Sequence, residues 1–305
     1  MNCIGIDTSN YTTSLAYSAD KTMQMDLRTM LKVREGERGL RQSDALYQHW
    51  TNLPDLTEKL LAQADRSKID LIVASSRPRS VEGSYMPVFN AGTAAARMIG
   101  AAMNIPVKFV SHQDGHIMAA SVGNDIDFRK PLIAAHLSGG TLELVLLKDG
   151  KIAKIGGTKD ISYGQLLDRI GVAMGNLFPA GKAIDSMAVN FTPDIKNPLC
   201  KATIDGSYLN LSGLETQALN FVSKKVNTEF LPAFVMERIA QSFVEIVKNA
   251  MKEQMVEQVL VAGGVACSEY LRNSCSKYGF MFGIKNLCSD NAVGAAISEG
   301  ELPWL

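Results

Sequence analysis

The sequence predicts an α/β protein of two domains with a duplicated core. Three observations lead there. Strand-like and helix-like segments alternate along the chain, the pattern of layered α/β folds. Its 305 residues, 46% of them hydrophobic, suffice for two cores. A strand, a small polar turn and a second strand occur near the N-terminus and again in the second half. That recurrence reads either as an internal repeat or as what any α/β chain contains.

The elements follow in order. Residues 3–7 form a short apolar run, 7–11 hold turn formers, and 12–17 return as a strand. Leu56, Leu60, Leu61 and Ala64 fall at helical spacing within 53–64. Residues 69–74 read as a buried strand, 91–103 as an Ala-rich helix and 107–110 as a further strand. The second half opens alike: an apolar run at 132–137, the turn Ser138-Gly139-Gly140-Thr141, and a strand at 142–147. Asp149-Gly150 predicts a hairpin into 151–156. A long helix over 234–253 carries Ile239, Phe243, Ile246, Val247 and Ala250 on one side. A strand at 258–262, a Gly263-Gly264 turn and a helix from about Ser268 come next. Residues 190–230, more polar and irregular, read as an insertion on the second domain. The expected domains are 1–130, with a helix at 292–305 packing back on it, and 131–291.

Composition narrows the function. Lys plus Arg and Asp plus Glu number 31 each, so the net charge is zero. Disorder is excluded by that balance of charge and hydrophobicity. Strong nucleic-acid binding by this chain alone is disfavoured, because such affinity comes mainly from phosphate neutralisation. The five Cys are scattered and form no CxxC pair, which argues against a disulfide scaffold or a Cys-only zinc site and for a reducing compartment. No signal pattern opens the chain and no apolar run approaches a membrane span. The expectation is a cytoplasmic protein with no membrane partner.

His112-Gln113-Asp114-Gly115-His116 is the sharpest local signal. Two His at i and i+4 share a helix face and can converge on one metal. A bare HxxxH also reads as a surface pair, although only four His occur in the chain. Asp290 reads either as a third ligand or as the cap of the helix after it. Ser138-Gly139-Gly140-Thr141 and Gly263-Gly264 suit close approach of a phosphate, or are ordinary tight turns. Asp168 and Asp185, flanking Phe178-Pro179-Ala180-Gly181, suit ribose hydroxyls or plain exposure. Asp7, at the first turn, would lie near phosphates or their metal. No nucleophilic set stands out, and no catalytic residue is assigned.

Taken in order, these pieces resemble one family over nearly the whole chain. It is the family of the catalytic subunit of tRNA threonylcarbamoyladenosine synthase, once described as glycoprotease or sialoglycoprotein endopeptidase. Ile4-Gly5-Ile6-Asp7-Thr8-Ser9 resembles its opening phosphate motif, and His112–His116 its H-M-E-G-H metal motif. Ser138-Gly139-Gly140-Thr141 resembles S-G-G-H-T with the His missing. Residues 160–169 are similar to D-D-A-A-G-E-A-F-D-K, and 178–185 to Y-P-G-G-P-A-I-D. Leu211-Ser212-Gly213-Leu214 is similar to F-S-G-L. Gly263-Gly264-Val265-Ala266 with Leu271-Arg272 is similar to G-G-V-A-A-N-x-x-L-R, and Cys288-Ser289-Asp290-Asn291 to C-T-D-N.

The resemblance implies an actin/Hsp70/sugar-kinase-like two-domain fold with a nucleotide cleft between the domains. It implies that His112, His116 and Asp290 hold one iron or zinc ion. His136, Leu137, Ser138, Gly139 and Gly140 would line a phosphate site. Asp168, Gly181, Asp185 and Ser268 would contact the adenosine part of threonylcarbamoyl-adenylate, with ATP as the related ligand. The implied reaction passes the threonylcarbamoyl group to the adenosine beside the tRNA anticodon. Accessory proteins of that synthesis are the implied partners, tRNA is engaged only with them, and a homodimer or a heterodimer with a family member is implied.

Departures from the family pattern suggest a diverged member. Ile161 replaces an Asp, Gln165 a Glu, Ala180 a Gly, Ser268 an Asn, and Glu215 a Lys, a sign reversal that disfavours phosphate or tRNA. The family's G-P-G-L-x-G loop is replaced by residues 77–84. The alternatives are a paralogue that binds nucleotide and metal with another acceptor, and a non-catalytic partner of an authentic member. A peptidase is the weakest reading, since no water-activating Glu lies beside the His pair.

Overall fold

The computed structural model describes residues 1–9, 11–34, 39–191, 194–226 and 228–304. Residue 10 of the first turn, residues 192, 193 and 227 of the expected insertion, and residue 305 lie outside the described residues. The chain begins with β1 (Asn2–Asp7), β2 (Thr12–Ala19), β3 (Thr22–Met30), α1 (Gln42–Gln63), β4 (Leu71–Arg77), α2 (Phe89–Met103), β5 (Val107–Ser111) and α3 (His112–Ser121). It continues through β6 (Leu132–Leu137), β7 (Leu142–Lys148), β8 (Lys151–Thr158), α4 (Tyr163–Ala173), α5 (Gly181–Val189), β9 (Thr203–Asp205), β10 (Tyr208–Asn210) and α6 (Ser212–Lys224). The last elements are α7 (Leu231–Gln254), β11 (Gln258–Ala262), α8 (Glu269–Cys275), β12 (Met281–Phe282), α9 (Lys285–Cys288) and α10 (Val293–Ser298).

Two compact units result. One holds Met1–Gly123 with Asp290–Pro303, the other Asn124–Ser289 with Trp304. The first unit's sheet has the order β3-β2-β1-β4-β5. β1, β2 and β3 form an antiparallel meander, and β4 and β5 add in parallel. The second unit's sheet has the order β12-β11-β6-β7-β8-β10-β9. Its run β8-β7-β6-β11-β12 repeats both the order and the strand sense of the first sheet. The duplication expected from the two strand–turn–strand segments is therefore real at the level of topology.

Each sheet buries a core of its own. In the first unit Ile4, Ile6, Leu15 and Ile72 pack with Leu53, Leu56 and Leu60 of α1 and Ala91, Ala95 and Ala96 of α2. In the second, Ile133, Ala135, Leu144, Val259 and Val261 pack with α4 and α7. The five α7 side chains picked out by helical spacing are all buried there. Asp149 and Gly150 both take positive φ, 51° and 69°, which closes the hairpin as expected.

Several bounds differ from expectation. β3 went unseen: it is mostly half-exposed, and its turn is Asp20-Lys21, where both residues take positive φ without a glycine to signal it. α1 starts eleven residues earlier than expected and carries Pro54 inside it. A proline removes one backbone donor from a helix, so a sequence pattern stops there while the packing of Ala45 and His49 continues. Residues 190–230 are not simply irregular. β9 pairs with β10, β10 extends the sheet beside β8, and α6 buries Leu214 and Ala218. The C-terminal helix covers Val293–Ser298 rather than 292–305, because Glu299 and Gly300 turn to φ 52° and 68°. No helix among the described residues is long and apolar enough to cross a membrane.

Candidate functional site: a metal centre and a glycine-lined turn cluster

The candidate metal centre lies in the first unit. α3 begins at His112, so His112 and His116 share one face, as the spacing demands. Ser111 starts this helix with a capping box: its hydroxyl accepts from the Asp114 amide, and Asp114 accepts from the Ser111 amide. Asp114 also accepts from the Ser80 hydroxyl, and the Gln113 amide donates to the Pro78 carbonyl. The loop that departs from the family pattern is thus clipped to the first turn of α3.

α10 supplies the third group. Gly294 packs directly on α3: a Cβ there would lie 1.8 Å from the Gly115 carbonyl oxygen. Gly5 does the same for β1, where a Cβ would lie 2.2 Å from the Ala292 carbonyl oxygen. These two glycines let α10 seat against β1 and α3, which brings Asp290, three residues ahead of α10, to the histidines. Asp290 Oδ1 lies 3.3 Å from His116 Nε2 and 3.6 Å from His112 Nε2. Asp290 does not cap α10. The α10 N-cap is Ala292, without a side-chain cap bond, and the Asn291 side-chain oxygen just before it accepts from the Val293 amide.

His112 and His116 are 7% and 3% exposed. One donor atom from each histidine and from Asp290 lie within 4.8 Å of one another. Asp7 Oδ2 lies 2.9 Å from His112 Nδ1. Its Oδ1 accepts from the Ser9 amide. Burial opposes both charges, but their attraction outweighs it. The Asp7 carboxyl is held far below the ordinary carboxylate range, and the His112 imidazole is raised to about 9. Burial and then the neighbouring His112 charge lower His116. Two imidazoles and one carboxylate, convergent and shielded, are a donor set that suits zinc or iron. The residues present fit such an ion, and Asp7 stands where an outer carboxylate orients a ligating histidine.

The first three residues of the first turn point away from solvent. Asp7, Thr8 and Ser9 are buried, and the Thr8 hydroxyl bonds the Val88 carbonyl and the Gly92 amide of α2. The corresponding turn in the second unit is different. Ser138 closes it through its amide to the Thr141 carbonyl and its hydroxyl from the Thr141 amide. Gly139 and Gly140 stand exposed, and a Cβ on either would meet nothing within 4 Å. No packing demand explains glycine there, and a ligand can reach the backbone closely. Gly264 is equally open, whereas Gly263 is structural: its φ is 95° and a Cβ would lie 2.3 Å from the Leu137 carbonyl oxygen. Register places Ala262 opposite His136, so the ends of β6 and β11 put both glycine turns side by side. This is the carboxyl end of adjacent parallel strands, the usual ligand position in α/β sheets.

The start of α4 completes the cluster. The Ser162 hydroxyl donates to the Gly139 carbonyl, and Gly164 lies so near that a Cβ would be 2.5 Å from Gly139 Cα. Neither residue was singled out from the sequence, although Ser162-x-x-Gln165 carries the capping-box signature. Both of its reciprocal bonds form, so Gln165 keeps the helix start in place of the family's Glu. Ala180 in place of Gly is accommodated by Gly171, whose own Cβ would sit 2.4 Å from that of Ala180.

The two expected ribose carboxylates both serve helix starts. Asp168 Oδ1 accepts from the Ala180 and Gly181 amides at the head of α5. Burial raises its carboxyl and these bonds oppose the rise. Asp185 accepts from the Ser268 hydroxyl and from the Glu269 and Tyr270 amides at the head of α8. Ser268 in turn caps α8 through the Leu271 amide, 3.0 Å away. Glu215 is not an unopposed negative charge, because Arg169 Nη1 lies 2.9 Å from it.

Solved structures share this architecture. They include HypF of T. kodakarensis, with a TM-score of 0.64 at 13% identity over 99% of this chain and 47% of that one. Component A of (R)-2-hydroxyglutaryl-CoA dehydratase from Acidaminococcus fermentans scores 0.58 at 14% identity over 97% and 96%. A ROK family protein from Streptococcus pneumoniae TIGR4 scores 0.53 at 9% over 100% and 98%. The fold is that of the actin, Hsp70 and sugar-kinase class.

The family model of tRNA N6-adenosine threonylcarbamoyltransferase matches residues 29–297, and the chain belongs to that family. Proteins of that name from Christiangramia forsetii and Ligilactobacillus salivarius are similar to it, at 28% identity over 90% of this chain and 83% of theirs, and 31% over 77% and 71%. A probable bifunctional tRNA threonylcarbamoyladenosine biosynthesis protein of Thermoplasma volcanium is 26% identical over 99% of this chain and 56% of its own length.

Proposed function

We propose that the protein is a metal-assisted threonylcarbamoyltransferase acting on tRNA. The single observation that carries the reading is the buried His112, His116 and Asp290 set in a chain matched by the family model over 29–297. In the reaction, the amino nitrogen of the tRNA adenosine bonds to the carbamoyl carbon of threonylcarbamoyl-adenylate and gives up a proton, the bond from that carbon to the phosphate oxygen breaks, and AMP leaves with the bonding pair. His112, His116 and Asp290 would hold one iron or zinc ion, and Asp7 would orient His112. When bound, that ion supplies a Lewis acid for the carbamoyl carbonyl.

The chain's own groups hold the adenylate. Open backbone at Gly139, Gly140 and Gly264 takes the phosphate, with His136 and Leu137 behind it. Gly181 sits at the adenosine. Asp168 keeps Oδ2 for a ribose hydroxyl, since both amides bond Oδ1. Asp185 and Ser268 shape the pocket by fixing the start of α8. The departures at Gln165, Ala180 and Glu215 are each matched by a local partner, which supports retained rather than lost activity. The five cysteines are all free thiols, in keeping with a cytoplasmic enzyme. The partners are accessory proteins of the same synthesis, which add basic surface to a chain of zero net charge.

The test is incubation with threonine, bicarbonate, ATP, the family's adenylate-forming enzyme and tRNA, with and without accessory subunits, followed by nucleoside analysis. Threonylcarbamoyladenosine is expected only when partners are present. No product in any combination, beside a working positive control, overturns the reading.

A further inference from the structure

A cavity of about 470 Å3 lies in the second unit, lined by the middle of α7, the segment before β9, and α8 with the turn after it. None of the metal, phosphate or adenosine residues above lines it. Four cations do: Lys201, Arg238, Lys248 and Lys277. None of the four forms an ion pair with a carboxylate among the described residues. Arg238 is 9% exposed. It donates to the Leu199 and Asn197 carbonyls and to Gln241 Oε1, none of them a carboxylate. A buried charge left in this state favours an anion nearby.

Aromatic rings complete the wall. Lys248 Nζ lies 4.3 Å and Lys277 Nζ 5.3 Å from the centre of the Tyr278 ring, a partner that leaves both ammonium charges in place. Tyr270, half-buried, lines the cavity beside them. Two acidic groups line it as well, Glu237 and Glu245. The Glu237 carboxylate accepts from the Asn197 and Gln241 side-chain amides, neutral donors that leave its charge in place. The balance remains positive, in a protein whose total charge is zero.

We infer that this cavity seats one nucleotide of the tRNA strand, with Lys201, Lys248 and Lys277 on its phosphates and Tyr270 and Tyr278 as the wall for its base or sugar. Interleaved cations and aromatic rings are how single-stranded nucleic acid is held without sequence readout. The choice of RNA over a free nucleotide rests on the function proposed above, whose acceptor is a polymer with a phosphate at every residue.

The experiment is fluorescence anisotropy of the full chain with tRNA across a salt series. The Lys248→Ala, Lys277→Ala pair should bind about tenfold more weakly at low salt. Its log affinity against log salt should flatten by about 1.4, the loss of two single-strand phosphate contacts. The Lys248→Arg, Lys277→Arg pair should stay within about twofold of wild type, since it keeps the charge. Metal content and circular dichroism report folding, and the single exposed reversal Lys201→Glu gives an independent reading if the Ala pair does not fold. Equal affinity and slope in the Ala pair or in Lys201→Glu overturns the seat. So does the outcome in which AMP or inorganic phosphate raises the melting temperature of wild type but not of the Ala pair while tRNA affinity is unchanged. Failure of the transfer assay with lysine-dependent tRNA binding intact counts against the reaction alone.

Discussion

Single residues decide whether the metal centre forms. His112→Ala removes one of the three proposed ligands and the group that Asp7 bonds. Purified protein should carry about one iron or zinc per chain, and elemental analysis should find most of it gone in this variant. Full metal retention in a His112→Ala, His116→Ala double variant would dismiss the site. Asp7→Asn keeps the shape and removes the charge. It should weaken metal binding by about 10- to 100-fold in a competition titration with a chelator. Asp160 gives a test by pH. Its carboxylate accepts from the Leu211 and Ser212 amides at the start of α6 and from the Ile161 amide. Burial works against its charge, but those bonds hold it below the ordinary carboxylate range. The folded state therefore binds fewer protons than the unfolded state in acid. This stabilisation is present above the unfolded value near 4 and is lost as pH falls below it. Thermal melts should show a shallower acid slope in Asp160→Asn than in wild type.

Between elements, close backbone contact does the positioning. α10 reaches the Gly115 backbone of α3 because Gly294 carries no side chain. Gly294→Ala should destabilise the chain by about 3 kcal/mol, since overpacking against backbone leaves little room to relax. If the variant folds, it should lose metal before it loses helix content, because Asp290 rides on the α10 approach. A Gly294→Ala protein with wild-type metal content would refute that link. α8 depends on Ser268 and Asp185 together. Ser268→Ala should cost about 1 kcal/mol by denaturant melt, the usual worth of an N-cap. Ser268→Asn should cost less than half of that, because Asn caps comparably and also restores the family's residue.

For the whole molecule, a net charge of zero sets the behaviour toward RNA. Binding to tRNA by the chain alone should be weak at physiological ionic strength and should gain at least about tenfold when the accessory subunits are added, measured by anisotropy at fixed salt. Equal affinity with and without partners would refute the requirement. The duplicated topology explains why one chain holds two differently used turns. In the first unit Asp7 and Thr8 are turned inward, onto His112 and α2. In the second the glycines are left open.

Hydrophobic period and turn chemistry were enough to assign the α/β class, the two strand–turn–strand segments, the α7 face and the Asp149-Gly150 hairpin, because each depends on residues near one another in the chain. The i, i+4 spacing of His112 and His116 was equally local. What they meet was not. Asp290 is 174 residues beyond His116, and whether it caps α10 or faces the histidines depends on how Gly5 and Gly294 let that helix sit. β3 escaped because its turn has no glycine, and α1 was cut short because Pro54 is tolerated where the helix packs on β2 and α2. The local partners of Asp168, Asp185, Ser268 and Glu215 likewise came only from tertiary structure. A carboxylate in a sequence shows its charge, and only the fold shows whether a backbone amide, a hydroxyl or a guanidinium already occupies it.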